Sequence, residues 1–355
     1  MKDQDGILTS LGLVGVVAGI LLAIAFVFSW ERPPVVTAQG GFRGVAMGGI
    51  YNPRTLEAQR AANVLPATLP QLPAVGPKAS AVYKNVQVLG DLSVGEFVRL
   101  MASMTTWVAP TQGCAYCHNT EAMEDDSVYT KVVARKMIQM VQTVNQNWTS
   151  HVAATGVTCY TCHRGNPVPQ NVWFNAVPPG NGEALSVRAT GQNIAATSVG
   201  MTSLPYDPFT PFLENAASIR NQTNTALPTG NRTSIKQSEW TYGLMMHMST
   251  ALGVNCTYCH NSRNFGDWEQ STPQRAVAWH GIRMVRDLNN DYMKPLTATF
   301  TANPNPPAGG PIASRIGPTG DVAKVNCATC HQGVYKPLFG AAESTAYPEL
   351  RKVSK

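Results

Sequence analysis

Charge is scarce in this 355-residue chain, and cysteine is missing from everywhere except one kind of place. Charged residues make up 14% of the sequence, well under the ~25% of an average soluble domain. No run of Lys or Arg occurs. The positive residues are scattered, so a net charge of +6 does not mark a nucleic-acid surface. Every one of the eight cysteines lies in a CxxCH pentad: CAYCH (114–118), CYTCH (159–163), CTYCH (256–260) or CATCH (327–331). No sulfur is therefore left for a structural disulfide. Of the seven histidines, only His151, His247 and His280 fall outside the pentads. What is abundant is Pro (25) and Gly (30), which point to much irregular backbone wrapped around something other than a large aliphatic core.

Paired CxxC motifs also suit zinc. The histidine directly after each second cysteine suits something else, namely thioether attachment of a porphyrin with that histidine as proximal iron ligand. Four pentads with no stray cysteine predict four covalently bound haems c. These are held by Cys114 and Cys117, Cys159 and Cys162, Cys256 and Cys259, and Cys327 and Cys330, with His118, His163, His260 and His331 on the irons. Each ferrous haem with both propionates ionised adds about −2, roughly −8 in all, which cancels the positive excess. Haem c is attached outside the cytoplasmic membrane, so the body of the chain is expected in the periplasm.

Residues Ile7 to Trp30 carry no charge and are closed by Glu31, Arg32 and Pro33-Pro34. About 20 helical residues cross a hydrocarbon core, so this run is long enough to span. A cleaved signal peptide is the competing reading. Lys2 is countered by Asp3 and Asp5, a poor fit to a signal's basic start, and no cysteine follows to take a lipid. The expectation is a single retained transmembrane helix, N-terminus cytoplasmic, oriented by the haem compartment. Gly15 and Gly19 give it a small-xxx-small face.

The rest reads as a duplicated plan. The segments are an anchor (1–32), an extended arm (33–90), a first two-haem repeat (91–165), an irregular linker (166–231), a second two-haem repeat (232–340) and a tail (341–355). "EFVRLMASMTTWVAPTQGCAYCHN" from Glu96 parallels "EWTYGLMMHMSTALGVNCTYCHN" from Glu239, and "VVARKMIQMVQTVN" (132–145) aligns without gaps on "AVAWHGIRMVRDLN" (276–289). Phe97, Met101, Met104 and Val108 keep helical spacing, as do Trp240, Leu244, Met248 and Leu252. Each half is then helix, pentad, helix, pentad. The fold class expected is mainly α with extensive coil, a multihaem cytochrome c with a two-fold internal repeat.

An iron that only shuttles electrons needs a sixth ligand, Met sulfur or a second His. Three spare histidines cannot serve four irons, so at least one takes Met or stays open. Met101, Met137 and Met245 lie on the helices preceding the first three pentads, with Met104, Met140, Met246 and Met248 a turn or less away. Met137 aligns with Gly281, so the helix before the fourth pentad lacks the sulfur. Glycine there leaves room for an incoming side chain. His151 on one side, and His280 or Met284 on the other, stand equal as that iron's distal ligand.

The motif order, the two-plus-two layout and the stretches "STPQRA" (271–276) and "GIRMVRDLN" (281–289) resemble the tetrahaem cytochrome subunit of purple-bacterial photosynthetic reaction centres, from Pro34 onward. That resemblance implies three Met/His haems with Met101, Met137 and Met245, and one His/His haem whose distal His151 comes from the other half. It also implies that Arg275 lies near the third haem and tunes its potential. Electrons would pass from a soluble periplasmic cytochrome c or high-potential iron–sulfur protein to the bacteriochlorophyll special pair. The partners implied are the L and M subunits, with H and light-harvesting subunits in the same complex of the inner membrane. Glu121, Glu124, Asp125 and Asp126 follow the first pentad and form a candidate donor-docking patch. A respiratory multihaem oxidoreductase with one open haem face, or a wire with no photosynthetic partner, are the alternative classes.

Overall fold

The computed structural model describes residues 2–30, 35–40, 47–177, 204–221, 235–305 and 314–352. Helix α1 (Lys2–Phe28) opens the chain, and its side chains from Gly12 onward are exposed. Among the described residues no helix is long and apolar enough to cross a membrane. The part of α1 with described side chains covers only 12–28, shorter than the ~20 residues of a bilayer crossing.

Within the segment read as an extended arm, short elements form. Strands β1 (Val36–Gly40) and β2 (Met47–Tyr51) pair antiparallel, with Val36 opposite Tyr51. Asn52 then caps α2 (Pro53–Ala62) by accepting from the Arg54 N–H at 3.0 Å, and Pro53 occupies the first helical turn. After the single turn α3 (Ala79–Val82) comes α4 (Val94–Val108), started by a capping box in which Ser93 and Glu96 satisfy each other's backbone N–H. Helices α5 (Tyr129–Asn147), α6 (Thr149–Val152) and α7 (Cys159–His163) complete the first half. In the second, α8 (Ile235–Leu252), α9 (Pro273–Leu288), α10 (Thr297–Ala302) and α11 (Cys327–His331) follow. The helices read from apolar spacing at 97–108, 132–145, 240–252 and 276–289 are thus α4, α5, α8 and α9. Where the ends differ, the helix runs past its apolar stripe, as at α4, which its capping box starts at Val94.

Apolar burial falls into three clusters. The first joins α4 and α5 to the C-terminal tail through Leu100, Trp107, Ile138, Val141, Tyr347 and Leu350. The second sets Leu244 of α8 and Ile282, Met284, Val285 and Leu288 of α9 against Phe209, Phe212 and Leu213. Val144 and Val152 enter this cluster from the first half. A third gathers Met293, Leu296, Phe300 and Val322, with Met137 and Met140 against it. The stretch 209–213 of the expected linker therefore packs into the core. Asn289 fixes it there, donating to the Leu213 and Val325 carbonyls at 2.9 and 3.0 Å and accepting from Val325 N at 2.8 Å.

Arm and tail are clamped onto α4 by one residue. The Arg99 guanidinium donates to the carbonyls of Leu69, Pro70 and Ala346 and pairs with Glu349 at 3.1 Å, both side chains nearly buried. It also lies 4.3 Å from the centre of the Tyr347 ring.

Candidate haem-binding sites

The four pentads adopt two local geometries, shared in alternation. At the first and third, the first cysteine lies on a 3₁₀ turn, Gly113–Tyr116 and Cys256–Tyr258, and the second directly follows it. There His118 and His260 hold Nδ1 against the carbonyl five residues on, Met123 at 3.1 Å and Phe265 at 2.9 Å. Thr130 and Thr272, each fourteen residues past a tyrosine, donate to the carbonyls of Tyr116 and Tyr258. At the second and fourth pentads the cysteines lie on the short helices α7 and α11. The N–H before each first cysteine donates to a threonine inside the motif, Thr158 to Thr161 and Asn326 to Thr329, both at 2.9 Å. Nδ1 of His163 and His331 meets the carbonyl three residues on, Asn166 at 2.8 Å and Val334 at 3.0 Å. Gly165 and Gly333 then donate at 2.8 Å to Trp107 and Ala251, near the ends of α4 and α8. With positive φ at both Gly253 and Gly333, a Cβ on Gly253 would come within 2.1 Å of the Gly333 oxygen, so side chains are excluded from that contact.

The consequence is chemical. A carbonyl on Nδ1 fixes the proton there and leaves Nε2 as the free lone pair, the arrangement that orients a metal-binding imidazole. All four pentad histidines have it. Burial pushes His163 and His331 down to about 4, so both imidazoles are neutral.

His151 has the same feature. On α6, its Nδ1 lies 2.9 Å from the Val277 carbonyl of α9. Its ring occupies the space above Gly281, where a Cβ would stand 2.5 Å from Cε1 and 3.2 Å from Nε2. The ring centre is 6.1 Å from that of His331 at 68°. The space left by Gly281 is therefore filled from the other half, by His151. Of the competing candidates, Met284 is buried in the second cluster and His280 packs on Trp279. His247, the remaining spare histidine, is buried edge-on to Phe209 with Nε2 unpartnered.

A cavity of about 670 Å³ lies between the first two pentads. Cys114, Cys117, His118, Cys159, Cys162 and His163 line it, as do Met101 and Met137 with their neighbours Met104 and Met140. Met245 lies elsewhere, partly buried against the second cluster. The cysteines are free. Loss of solvation raises the Cys117 and Cys259 thiols to about 11 and those of Cys159 and Cys327 to about 12. Zinc requires thiolates, and among the described residues no three His, Cys, Asp or Glu side chains are grouped to hold a metal ion. Attachment through uncharged thioethers suits these buried sulfurs, and the apolar walls suit a porphyrin face. Cys162 and Cys330 Sγ lie 2.7 Å apart where α7 meets α11.

Residues 31–351 match the family model described as the photosynthetic reaction centre cytochrome C subunit. The chain belongs to that family. A photosynthetic reaction center cytochrome c subunit of Rubrivivax gelatinosus is 56% identical, the alignment covering 95% of this chain and 88% of the relative. Those of Thermochromatium tepidum (95% and 80%) and Roseobacter denitrificans (95% and 92%) are 49% and 38% identical. Membership makes this a haem c electron-transfer subunit of photosynthesis and not an enzyme.

Two further features of this cytochrome subunit bear on the sequence reading. Arg275 is not a free surface charge. It donates to the Asp267 carbonyl at 2.8 Å and Ser271 Oγ at 2.7 Å, lies 4.1 Å from the Trp268 ring centre, and its charge acts on Cys259 and His260 of the third pentad. The acidic stretch is divided in role. Asp126 is held by both Arg135 nitrogens at 2.8 Å and by Lys131 at 3.2 Å, which drives its carboxyl far below the usual range. Glu121 and Glu124 are exposed. One group near the second pentad gave no sequence signal: Glu343 of the tail, buried and accepting from Thr158 and Thr161 Oγ1 at 2.7 and 3.1 Å. Only its position 180 residues beyond those threonines hides it, since nothing local in "GAAEST" marks a buried carboxylate.

Proposed function

We propose that the four pentads hold four haems c. His118, His163, His260 and His331 are the proximal ligands, Met101, Met137 and Met245 the distal ligands of the first three, and His151 that of the fourth. A haem supplies a one-electron carrier, and a sixth protein ligand on each iron keeps substrate off it. The observation carrying this reading is that the same Nδ1-to-carbonyl restraint recurs on five histidines, the four pentad residues and His151. His247, unpaired and packed on an aromatic ring, lacks it.

In this reading the chain passes electrons from a soluble periplasmic carrier to the photo-oxidised special pair. It docks on the L and M subunits, with H and light-harvesting subunits in the same assembly. The paired pentad geometries support a duplicated plan with segments 91–165 and 232–340 as its halves. The charge-free run Ile7–Trp30 supports α1 as a single-pass anchor, with the haem body in the periplasm. Arg275, beside the third pentad, raises that haem's potential by disfavouring the ferric charge. Haem quantitation on the purified chain is expected to give four per polypeptide, with ferric spectra wholly low-spin. Flash excitation of native membranes should oxidise haem on this chain. Fewer than four haems, or a high-spin ferric signal, contradicts the ligand set.

A further inference from the structure

Arg315 is buried, 7% exposed, and reaches the cavity between the first two pentads from the far end of the sequence. Its backbone N–H is tied to the Pro304 carbonyl at 2.7 Å. One nitrogen, Nη2, donates to the Tyr116 hydroxyl at 2.9 Å, and Tyr116 stands between the two cysteines of the first pentad. The guanidinium carbon lies 5.9 Å from the centre of the Phe300 ring. The Nε hydrogen is buried with no partner. Among the described residues no carboxylate forms an ion pair with it. Met137 packs against the cluster that holds Phe300.

Guanidinium is effectively always protonated, so it cannot relieve its burial by losing a proton. A buried cation left without a counter-charge is strongly unfavourable. Neither the Tyr116 hydroxyl nor the Phe300 ring is an anion. The missing partner must be an anion that enters with the cavity's occupant and presents a planar pair of oxygens to Nε and Nη. We propose that Arg315 binds a propionate carboxylate of the haem attached through Cys159 and Cys162, and so sets that haem's reduction potential. The assignment to the second haem rests on the four-haem reading and on Phe300, which the guanidinium faces and whose cluster Met137 packs against. The geometry gives Arg315 two separable roles, a fork donating to the carboxylate and a fixed cation opposing the ferric state. It joins His151 as a residue that crosses between halves, in the opposite direction.

The test is a spectro-electrochemical titration of the purified full-length cytochrome subunit, wild type against Arg315→Gln and Arg315→Lys. Haem content and low-spin spectra are measured first. If the second pentad carries no haem even in the wild type, the four-haem reading fails, and the inference with it. If all four haems are present, Arg315→Gln should lower the potential of one haem, the one whose spectrum also responds to Met137→His. The expected shift is at least a tenfold change in its ferrous-to-ferric ratio at fixed potential, about 59 mV for a one-electron couple. Arg315→Lys keeps the charge and should recover most of that shift. If Arg315→Gln fails to accumulate, resonance Raman of wild type and Arg315→Lys decides: the propionate bending band of the second haem should move when the fork is lost. Unchanged potentials in Arg315→Gln, a shift confined to another haem, or a propionate band unmoved in Arg315→Lys would each overturn the proposal.

Discussion

Position 281 shows what a single missing Cβ does. The imidazole of His151 rests where a side chain on α9 would otherwise lie, 2.5 Å from the site of that absent atom. Gly281→Ala should therefore displace the ring and destabilise the fold by about 1–3 kcal/mol, the usual cost of overpacking. In redox titration the fourth-pentad haem alone should change, as it should in His151→Leu. Perturbation of the second haem instead would make His151 a local ligand. Glu343 gives a pH signature. Burial raises its carboxyl from the ordinary 4.5 to about 7, against the opposing pull of Thr158, Thr161 and Arg164. The folded chain thus holds this proton more tightly than the unfolded one. The stability it adds is complete below about 4.5 and is lost as pH rises through about 7. Glu343→Gln, which stays neutral, should flatten the decline in thermal midpoint between pH ~5 and pH ~8, and an unchanged slope would assign that decline elsewhere.

Among the elements, the helices flanking the pentads were legible because their apolar spacing is regular, and α4 and α8 run up to a CxxCH motif. The gap at Gly281 left a trace, as glycine opposite Met137 in a gapless internal alignment, but that mismatch alone did not choose between His151, His280 and Met284. The rest was hidden for a common reason. Arg99, Arg315 and Glu343 act on residues about 180 to 250 positions away, and no local pattern reports such a pairing. Nor does a row of four acidic residues reveal that one of them is consumed by Arg135 and Lys131. The Arg99 clamp offers a test at this scale. Breaking one side of a buried ion pair typically costs 3–5 kcal/mol, so Arg99→Ala should loosen both the 65–75 stretch and the 341–352 tail. Limited proteolysis would detect cleavage in both together. Cleavage in only one would mean that the arm and tail are held independently.

At the scale of the whole molecule, charge is thin enough for a small cluster to dominate one end. Glu121 and Glu124 sit beside the first pentad on the outer side of the Asp126 ion-pair network. Complementary charge acts mainly on encounter rates. The pair Glu121→Lys and Glu124→Lys should therefore slow rereduction by a basic soluble donor several-fold at low ionic strength. The difference should fade as the Debye length falls below about 10 Å near 0.1 M salt. Asp126→Lys should act differently, lowering stability at any salt because Arg135 and Lys131 lose their partner. A low-salt rate untouched by the glutamate changes would move the donor's landing place away from this loop.

The contact between Cys162 and Cys330 has a meaning for biogenesis. Their Sγ atoms lie side by side where α7 meets α11. The four-haem reading requires both pentads to stay reduced until porphyrin is attached, on the side of the membrane where thiols are oxidised. A chain that folded ahead of its cofactors would bring these two sulfurs together and could be stapled shut across its two halves. On the four-haem reading, porphyrin is attached before the two halves close. In cells starved of haem ligase, peptide mapping of the accumulated polypeptide should find 162 cross-linked to 330, a molecular record of assembly performed in the wrong sequence.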